Sequence, residues 1–399
     1  MFFFTVLSKA NFCRYDQNFM KRLLRSLLHG FVIFFTFCTA SRAEEKTESA
    51  VLFKGQLSAS YVGSDNAGSW KSLALLRYLP ELSAEGGFSN GYSWDLDLSL
   101  NLQSRYQSHP SSDLDGSVQL YRLYGELKTS RSDLRIGLQK IDFGPSLILR
   151  SLRWFDQIDP TDPLAITNGV YALRYRYFFM NNANVWVWGL YGNGNPKGFE
   201  VVGTRKHTPE LGGRLQFPIP IGELGLSVHA RKTGSFGYTG AFAGDFLEKR
   251  LAIDGRFDLG AGLWYEYVLV HQGGPAGSAN NWYQSLTLGG DYTVEIGNGL
   301  HLIVEHLSVG LDANAFGWGT SGHTTVLQLS YPLTLLDSLS LLEGYSWSAK
   351  RLLHYLRWSR TYDNFSLNLG LFAFPTLSGN TGGISFSGTG VQAVVAFYH

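Results

Sequence analysis

The chain has 399 residues, of which 16% are charged and 15% aromatic, with 46 glycines, 10 tryptophans and only 2 cysteines. This length is compatible with two or three soluble domains, but no linker or compositional break divides the chain after residue 50. High aromatic and glycine content with few charges favours an all-β chain with many turns. It favours a membrane barrel over a soluble sandwich, because Trp and Tyr concentrate where a barrel wall meets the lipid headgroups.

The N-terminal segment 1–43 is predicted to be a signal peptide. Met20–Arg25 is basic, Leu27–Cys38 is largely apolar, and Ser41–Ala43 places small residues at a cleavage site. The alternative is a membrane anchor, but an apolar run of roughly a dozen residues is short for a span of about 20. The predicted mature chain therefore starts at Glu44, and residues 1–19 form an upstream extension if Met20 is the true start.

Both cysteines, Cys13 and Cys38, fall in the segment predicted to be removed. The mature chain is then expected to lack disulfides, a thiol nucleophile and thiolate metal ligands. It would keep 27 Lys/Arg and 31 Asp/Glu, a net charge of −4. That sign argues against a general nucleic-acid binder.

After Val51 the recurring pattern is strict alternation of apolar and polar residues. In Trp94–Gln103, five apolar residues alternate with five polar ones, which indicates a strand with one apolar and one wet face. The wet face points outward in a soluble sandwich and into the lumen of an outer-membrane barrel. The same alternation recurs in segments around Leu123, Leu173, Leu215, Leu226, Ile253, Leu288 and Val395.

Connections between these segments alternate in length. Short polar turns such as 128–133 and 181–182 alternate with Gly-rich loops such as 192–209 and 234–246. Short turns at one end and long loops at the other are typical of an up-and-down transmembrane barrel. The segments predict an antiparallel barrel over residues 44–399 with roughly 18 strands, 16 being the alternative count.

Signal peptide, alternating strands, alternating loop lengths and an apolar last strand together resemble Gram-negative outer-membrane porin-like β-barrels. The resemblance covers about residues 50 to 399. Such barrels often end in an aromatic residue, whereas this chain ends Phe397-Tyr398-His399. The C-terminus therefore departs from the pattern by one residue.

The resemblance implies a channel in the bacterial outer membrane for passive diffusion of small hydrophilic solutes, anionic ones among them. Its expected partners are outer-membrane lipids, lipopolysaccharide and the barrel-assembly machinery, and it allows a homo-oligomer. No cofactor, metal or nucleic acid is expected. The alternatives are a non-conducting structural or assembly barrel that binds a partner through its external loops, a barrel enzyme of the lipase or protease kind, and a soluble periplasmic β-sandwich or propeller.

One long segment, 145–163, interrupts the strand pattern and is predicted to fold into the barrel and narrow it. It offers Arg150 and Arg153 as cations, and Asp156, Asp159 and Asp162 as anions, with the constriction assigned to the first four of these residues. Opposite charges across a constriction create a transverse field that selects permeants. The alternative is an external cap, although its Leu, Trp and Phe residues need a surface to bury against.

Charged residues on the wet faces are expected to line the lumen. Arginines on neighbouring strands could form a ladder that guides anions, or could pair with inward acids and hold the wall together. The predicted lining residues are Asp95, Asp97, Arg122, Arg174, Arg176, Arg214, Arg231 and Arg256.

Aromatic residues on the strands are interpreted mainly as girdles at the two membrane interfaces, with a sugar-binding track inside the pore as the alternative. They are Trp94, Trp186, Trp188, Tyr191, Trp264, Trp282, Trp347 and Trp358.

The sequence does not favour an enzyme. His301 and His306 have metal-like spacing with Glu305, but on a strand these two histidines point to opposite faces. No GxSxG motif is present.

Overall fold

All regular secondary structure in the described part of the chain is β-strand. The computed structural model describes residues 50–399 except 67, 89–90, 109–112, 157–160, 235–244, 274–280 and 375–386, so the predicted signal peptide lies outside the described residues. Within those ranges, no helix is long and apolar enough to cross a membrane. The prediction of 18 strands is confirmed: β1 Ala50–Asn66, β2 Ser69–Gly87, β3 Ser93–Gln107, β4 Asp113–Lys128, β5 Ser132–Gln139, β6 Val170–Phe178, β7 Asn184–Leu190, β8 Glu210–Ile219, β9 Gly222–Lys232, β10 Leu247–Asp258, β11 Gly262–Gln272, β12 Trp282–Val294, β13 Leu300–Asp312, β14 Thr320–Pro332, β15 Asp337–Ser346, β16 Arg351–Thr361, β17 Phe365–Phe374 and β18 Gly388–Tyr398.

The strands form one closed antiparallel barrel. Each pairs with its sequence neighbours, and β1 pairs with both β2 and β18. The last residue extends this seam, because Gly55 N–H donates to the His399 carbonyl at 3.0 Å and His399 N–H donates to the Gly55 carbonyl at 3.1 Å. The His399 ring stacks on Tyr78 with centroids 5.9 Å apart. The terminal histidine thus occupies an aromatic position in the wall.

Along most strands, apolar side chains face outward and polar side chains face the lumen. On β6, Leu173 is 48% exposed and Arg174 only 4%. On β8, Leu211 is 64% exposed and Glu210 is fully buried. Such alternation, with the apolar face outside, is the arrangement that a barrel wall in lipid requires.

The two ends of the barrel differ in the length of their connections. One end, here called the short-turn end, also carries the two ends of the described chain, and the other is called the long-loop end. The short-turn end includes the connections 129–131, 179–183, 220–221 and 333–336, and the long-loop end includes 140–169, 191–209 and 313–319.

The strands are tilted, so a row of paired residues climbs toward the long-loop end as strand number increases. The row that starts at Leu52, near the short-turn end of β1, reaches Glu210 at the long-loop end of β8. With a tilt near 40°, each strand adds about 3 Å of height and each residue along a strand about 2.5 Å. These increments relate the heights of residues on different strands.

Candidate functional site: the insert and the lumen wall

The connection between β5 and β6, residues 140–169 and here called the insert, folds into the lumen and binds a distant part of the wall. Glu266 on β11 accepts hydrogen bonds from the backbone N–H groups of Ser146 at 3.0 Å and Leu152 at 2.8 Å. Strand β11 lies six strands round the barrel from β5. The prediction that this segment folds into the barrel is therefore confirmed.

A second carboxylate, Glu305 on β13, holds three consecutive backbone N–H groups of the insert. It accepts from Leu147 at 2.7 Å, from Ile148 at 3.0 Å and from Leu149. The Trp264 indole N–H donates to the same carboxylate at 3.0 Å. The Glu305 side chain thus accepts four hydrogen bonds and fixes the insert backbone to β13.

Thr287 on β12 lies between these two anchors and adds neutral contacts. Its hydroxyl donates to the Leu149 carbonyl at 2.6 Å and lies 2.8 Å from the Ser151 hydroxyl. The insert backbone from residue 146 to 152 is thereby fixed against three adjacent strands.

The apolar side chains of the insert join two clusters on the inner wall. Ile148 and Leu149 pack with inward residues of β11 and β13–β17. The larger cluster, here called the insert core, lies against β6, β7, β10 and β11. Trp154 and Leu152 are almost fully buried, and the Phe143 ring stacks on Trp188 with centroids 5.5 Å apart. His229 on β9 closes this core, because it accepts from the Trp188 indole at 3.2 Å. The core comprises Ile141, Phe143, Leu152, Trp154, Phe155, Val170, Ala172, Trp188, Leu190, Ala252, Val268 and Val270.

The predicted constriction residues that are described, Arg150, Arg153 and Asp156, are buried within the insert, and Asp159 lies outside the described residues. Arg150 pairs with Asp156 at 2.8 Å and also with Asp142. Burial raises the pKa of the Asp156 carboxyl, an effect that Arg150 only partly offsets. Burial acts to lower the pKa of Arg150, but Asp156 and Asp142 together hold it above its usual value. Arg150 and Asp156 thus face each other within the insert, and their role at a constriction stays a prediction.

Two predicted lining arginines on β6 pair with carboxylates on the neighbouring strands. Arg174 lies 3.0 Å from Asp133 and 3.3 Å from Glu126. Arg176 lies 2.7 Å from Asp133. These side chains hold adjacent strands together and offset one another's charge.

The arginines on β8 and β9 are also paired. Arg214 forms a bidentate salt bridge with Asp254, with N–O distances of 2.6 and 2.7 Å. Arg231 makes a similar contact with Glu248 at 2.7 and 3.1 Å. Lys197 and Glu200 of the β7–β8 connection join this network. Lys197 pairs with Glu200 and with Glu210 of β8, and Glu200 pairs with Arg231 and with Arg250 of β10.

The other predicted lining residues are less enclosed. Arg256 is 3.8 Å from both Asp258 and Asp291. Asp95 pairs with Lys128. Asp97 lines a cleft of about 240 Å³ toward the short-turn end, together with Lys54, Glu81, Tyr124, Glu126 and Arg135.

Arg122 differs from the paired arginines. Its guanidinium donates to the Thr167 carbonyl of the insert at 2.9 Å and to the carbonyl of the preceding residue, Tyr121, at 2.6 Å. No carboxylate of the described residues lies within ion-pair distance of it. Asp97 and Glu81 act on Arg122 electrostatically from beyond ion-pair distance, so its charge is less closely matched than that of the paired arginines.

Sequence analysis missed two further inward arginines, Arg77 on β2 and Arg357 on β16. Neither forms an ion pair with a carboxylate of the described residues, although Asp162 of the insert acts electrostatically on Arg77. Arg357 alternates with Leu356 and Trp358, so the same alternation would have found it. The sequence around Glu266 and Glu305 gives no sign that they anchor the insert. The sequence near a carboxylate on a strand does not reveal which distant backbone N–H groups it will bind.

The girdle interpretation is wrong for three of the tryptophans. Trp188 and Trp264 are buried on the inner face, and Trp186 packs against the insert core. On β7, Val185 and Val187 take the outward positions, because here the aromatic residues occupy the face that elsewhere is polar. These tryptophans serve the insert core.

Comparisons with known proteins find the fold but no sequence family. No protein-family model matches the chain, and no curated protein sequence matches it. Among solved structures, Pseudomonas aeruginosa OccK2 (OpdF) matches with a TM-score of 0.58 and 11% identity, covering 87% of this chain and 97% of that one. Acinetobacter baumannii OccAB1 matches with 0.57 and 8%, covering 88% and 96%. The outer membrane channel DcaP of Acinetobacter baumannii matches with 0.50 and 12%, covering 90% and 100%. The chain therefore has the porin-like β-barrel fold of bacterial outer-membrane proteins.

Proposed function

We propose that this protein is an outer-membrane channel for passive diffusion of small hydrophilic solutes, with a preference for anions. The path runs along β1–β4 and β14–β18, away from the insert core and past the smaller cluster that Ile148 and Leu149 form with β13–β17. The observation that carries the proposal is a set of inward arginines, Arg77, Arg122 and Arg357, that have no carboxylate ion pair among the described residues.

The wall formed by β14–β18 supports a preference for anions. The only two carboxylates on these strands are Asp337, beside the β14–β15 turn, and Glu343, on the outer face. Arg357 lies on the inner face among neutral residues such as Gln328 and Asn368. Fixed cations without nearby acids favour the passage of anions.

The three arginines lie at similar heights in the barrel. The row of paired residues that starts at Arg357 on β16 ends at Leu73 on β2, after Gly370, Gln392 and Val62. Leu73 lies four residues from Arg77, toward the long-loop end. Across four strands this row rises about 12 Å, and the four residues from Leu73 back to Arg77 descend about 10 Å. Arg77 and Arg357 therefore lie at nearly the same height. By the same geometry Arg122 lies within about 5 Å of that level. A solute would meet all three together, beside the insert.

Ion selectivity in planar bilayers tests this proposal. We expect the reversal potential in a salt gradient to indicate anion preference, and Arg77→Gln, Arg122→Gln and Arg357→Gln each to shift it toward cations. Lys249→Gln removes the same charge from the outer face of β10 and should leave it unchanged. Cation preference in the unaltered protein, or equal shifts from all four variants, would contradict the proposed path.

The alternative is a barrel that does not conduct and binds a partner through its external loops. The observation in its favour is the buried insert core, which fills part of the lumen. Folded protein that inserts into bilayers but gives no conductance steps would support this alternative and exclude the channel.

A further inference from the structure

A β-bulge on β4 places two consecutive side chains on the inner face of the barrel. Ser99 on β3 pairs with Arg122. Its neighbour Leu100 pairs with Leu120, which leaves Tyr121 as the extra residue of the bulge. The alternation of β4 before the bulge puts Tyr121 on the inner face, and the alternation after the bulge does the same for Arg122. Bulges often re-aim a side chain beside a functional site.

Two inward arginines approach the side chain that the bulge turns into the lumen. The Arg122 guanidinium carbon lies 4.0 Å from the centroid of the Tyr121 ring. Arg77 on β2 interacts electrostatically with the Tyr121 phenol. Two guanidinium groups and a phenol hydroxyl therefore face the same part of the lumen.

Neutral hydrogen-bonding side chains occupy the wall between these arginines. Arg77 pairs with Gln103 on β3, and Gln103 pairs with Ser117 on β4. Asn101 lies in the next inward row, two residues toward the short-turn end. With strands about 4.8 Å apart and alternate residues about 6.8 Å apart, the area measures about 10 by 14 Å. It is here called the bulge patch and consists of Arg77, Asn101, Gln103, Ser117, Tyr121 and Arg122.

Three polar atoms of the bulge patch are enclosed without a hydrogen-bond partner among the described residues. They are Arg77 Nε, Asn101 Oδ1 and Ser117 Oγ. Enclosed polar atoms are normally paired, so each exception requires an explanation. One of these atoms is a donor, one is an acceptor and the hydroxyl is both. A ligand that pairs all three must therefore carry donors as well as acceptors.

Carboxylate groups border the bulge patch. Asp162 of the insert acts electrostatically on Arg77, and the Thr167 carbonyl of the insert accepts from Arg122 at 2.9 Å. Glu81 on β2 lies in the same row as Arg122 and pairs with Lys54 at 2.7 Å. A solute between the insert and this wall thus meets guanidinium groups and also oxygen acceptors.

We infer that the bulge patch binds anions that carry hydroxyl groups, such as sugar acids and other hydroxycarboxylates. The anionic group meets Arg77 and Arg122, and a hydroxyl group of the solute donates to the Asn101 amide oxygen. A simple carboxylate leaves this oxygen unpaired, and a neutral sugar leaves the two cations without a counter-charge. Groups that stay unpaired on binding reduce affinity. The inference rests on the proposed function, because solutes reach the patch through the lumen.

Isothermal titration calorimetry of the folded protein in detergent tests this inference. The probe is gluconate, a carboxylate with a hydroxyl group on each of its other carbons. Acetate supplies the charge alone, and glucose supplies the hydroxyl groups without the charge. We expect gluconate to bind about tenfold more tightly than either, or better. An affinity for gluconate no higher than that for acetate or for glucose would overturn the inference.

Substitutions assign the affinity to the bulge patch. Asn101→Ala and Tyr121→Phe should each lower the affinity for gluconate about fivefold to tenfold, and more than that for acetate. Arg77→Gln should lower both. Gln216→Ala, on the inner face of β8, is the matched control and should not alter gluconate binding. Heat-modifiable gel migration verifies that each variant is folded, and an equal loss in Asn101→Ala and Gln216→Ala would refute the assignment.

The binding site and the channel fail separately in these measurements, because calorimetry does not require conduction. Preferential gluconate binding by a protein that gives no conductance steps would support the site and refute the channel. Conductance steps from a protein with equal affinities for gluconate and acetate would refute the site and keep the channel.

Discussion

The anchoring of the insert by Glu305 gives the sharpest prediction about this barrel. Glu305→Gln keeps the size of the side chain but replaces one carboxylate oxygen with an amide nitrogen. Of the four donors, those from Leu147 and Trp264 share one oxygen, so at least two N–H groups lose their acceptor. A buried donor left without a partner costs about 1–3 kcal/mol, so the substitution should weaken the anchor by about 2–6 kcal/mol.

The loss should be confined to the insert, since the ladder of β13 does not use this side chain. We expect faster amide hydrogen exchange at residues 146–152 and a noisier, larger single-channel conductance, with the barrel still folded. Glu295→Gln, at the exposed β12–β13 turn, is the matched control. Unchanged exchange at 146–152 in Glu305→Gln would refute the view that this carboxylate holds the insert.

Three further substitutions test other parts of the structure. Trp154→Ala should cost about 3–5 kcal/mol in the insert core and make the insert sensitive to protease, because this fully buried ring leaves a cavity. Arg214→Leu should cost about 3–5 kcal/mol, because it leaves Asp254 buried and unpaired; a lower temperature of the heat-modifiable gel shift would show it. Gly198→Ala should detach the β7–β8 connection from the insert, because its φ is +51° and a Cβ would strike the Arg153 carbonyl; faster exchange in residues 191–209 is the readout.

The fold could be predicted from the sequence because a barrel in lipid imposes one rule on every strand. Alternation such as that of Trp94–Gln103 decides which face meets lipid, and repetition over many segments gives the strand count. The alternation of apolar outward and polar inward residues fails where the insert core fills the lumen. On β7 the inward positions are Trp186 and Trp188, because the insert supplies an apolar partner that local alternation does not reveal.

The site could be predicted only in part. The insert was identifiable because it breaks the strand pattern, and its apolar residues required a surface inside the barrel. Which charges cancel depends on pairing between distant strands, as with Arg214 on β8 and Asp254 on β10. Arg174, Arg214 and Arg231 therefore lie in ion pairs, while Arg77 and Arg357 have none with a carboxylate of the described residues.

Single-channel recording of residues 44–399 in planar bilayers tests the central claim most directly. The structure and the proposed path predict discrete conductance steps with anion preference, since Arg77, Arg122 and Arg357 face the lumen without an ion pair to a carboxylate of the described residues. Folded, inserted protein that stays electrically silent would contradict the channel and identify the insert as a plug.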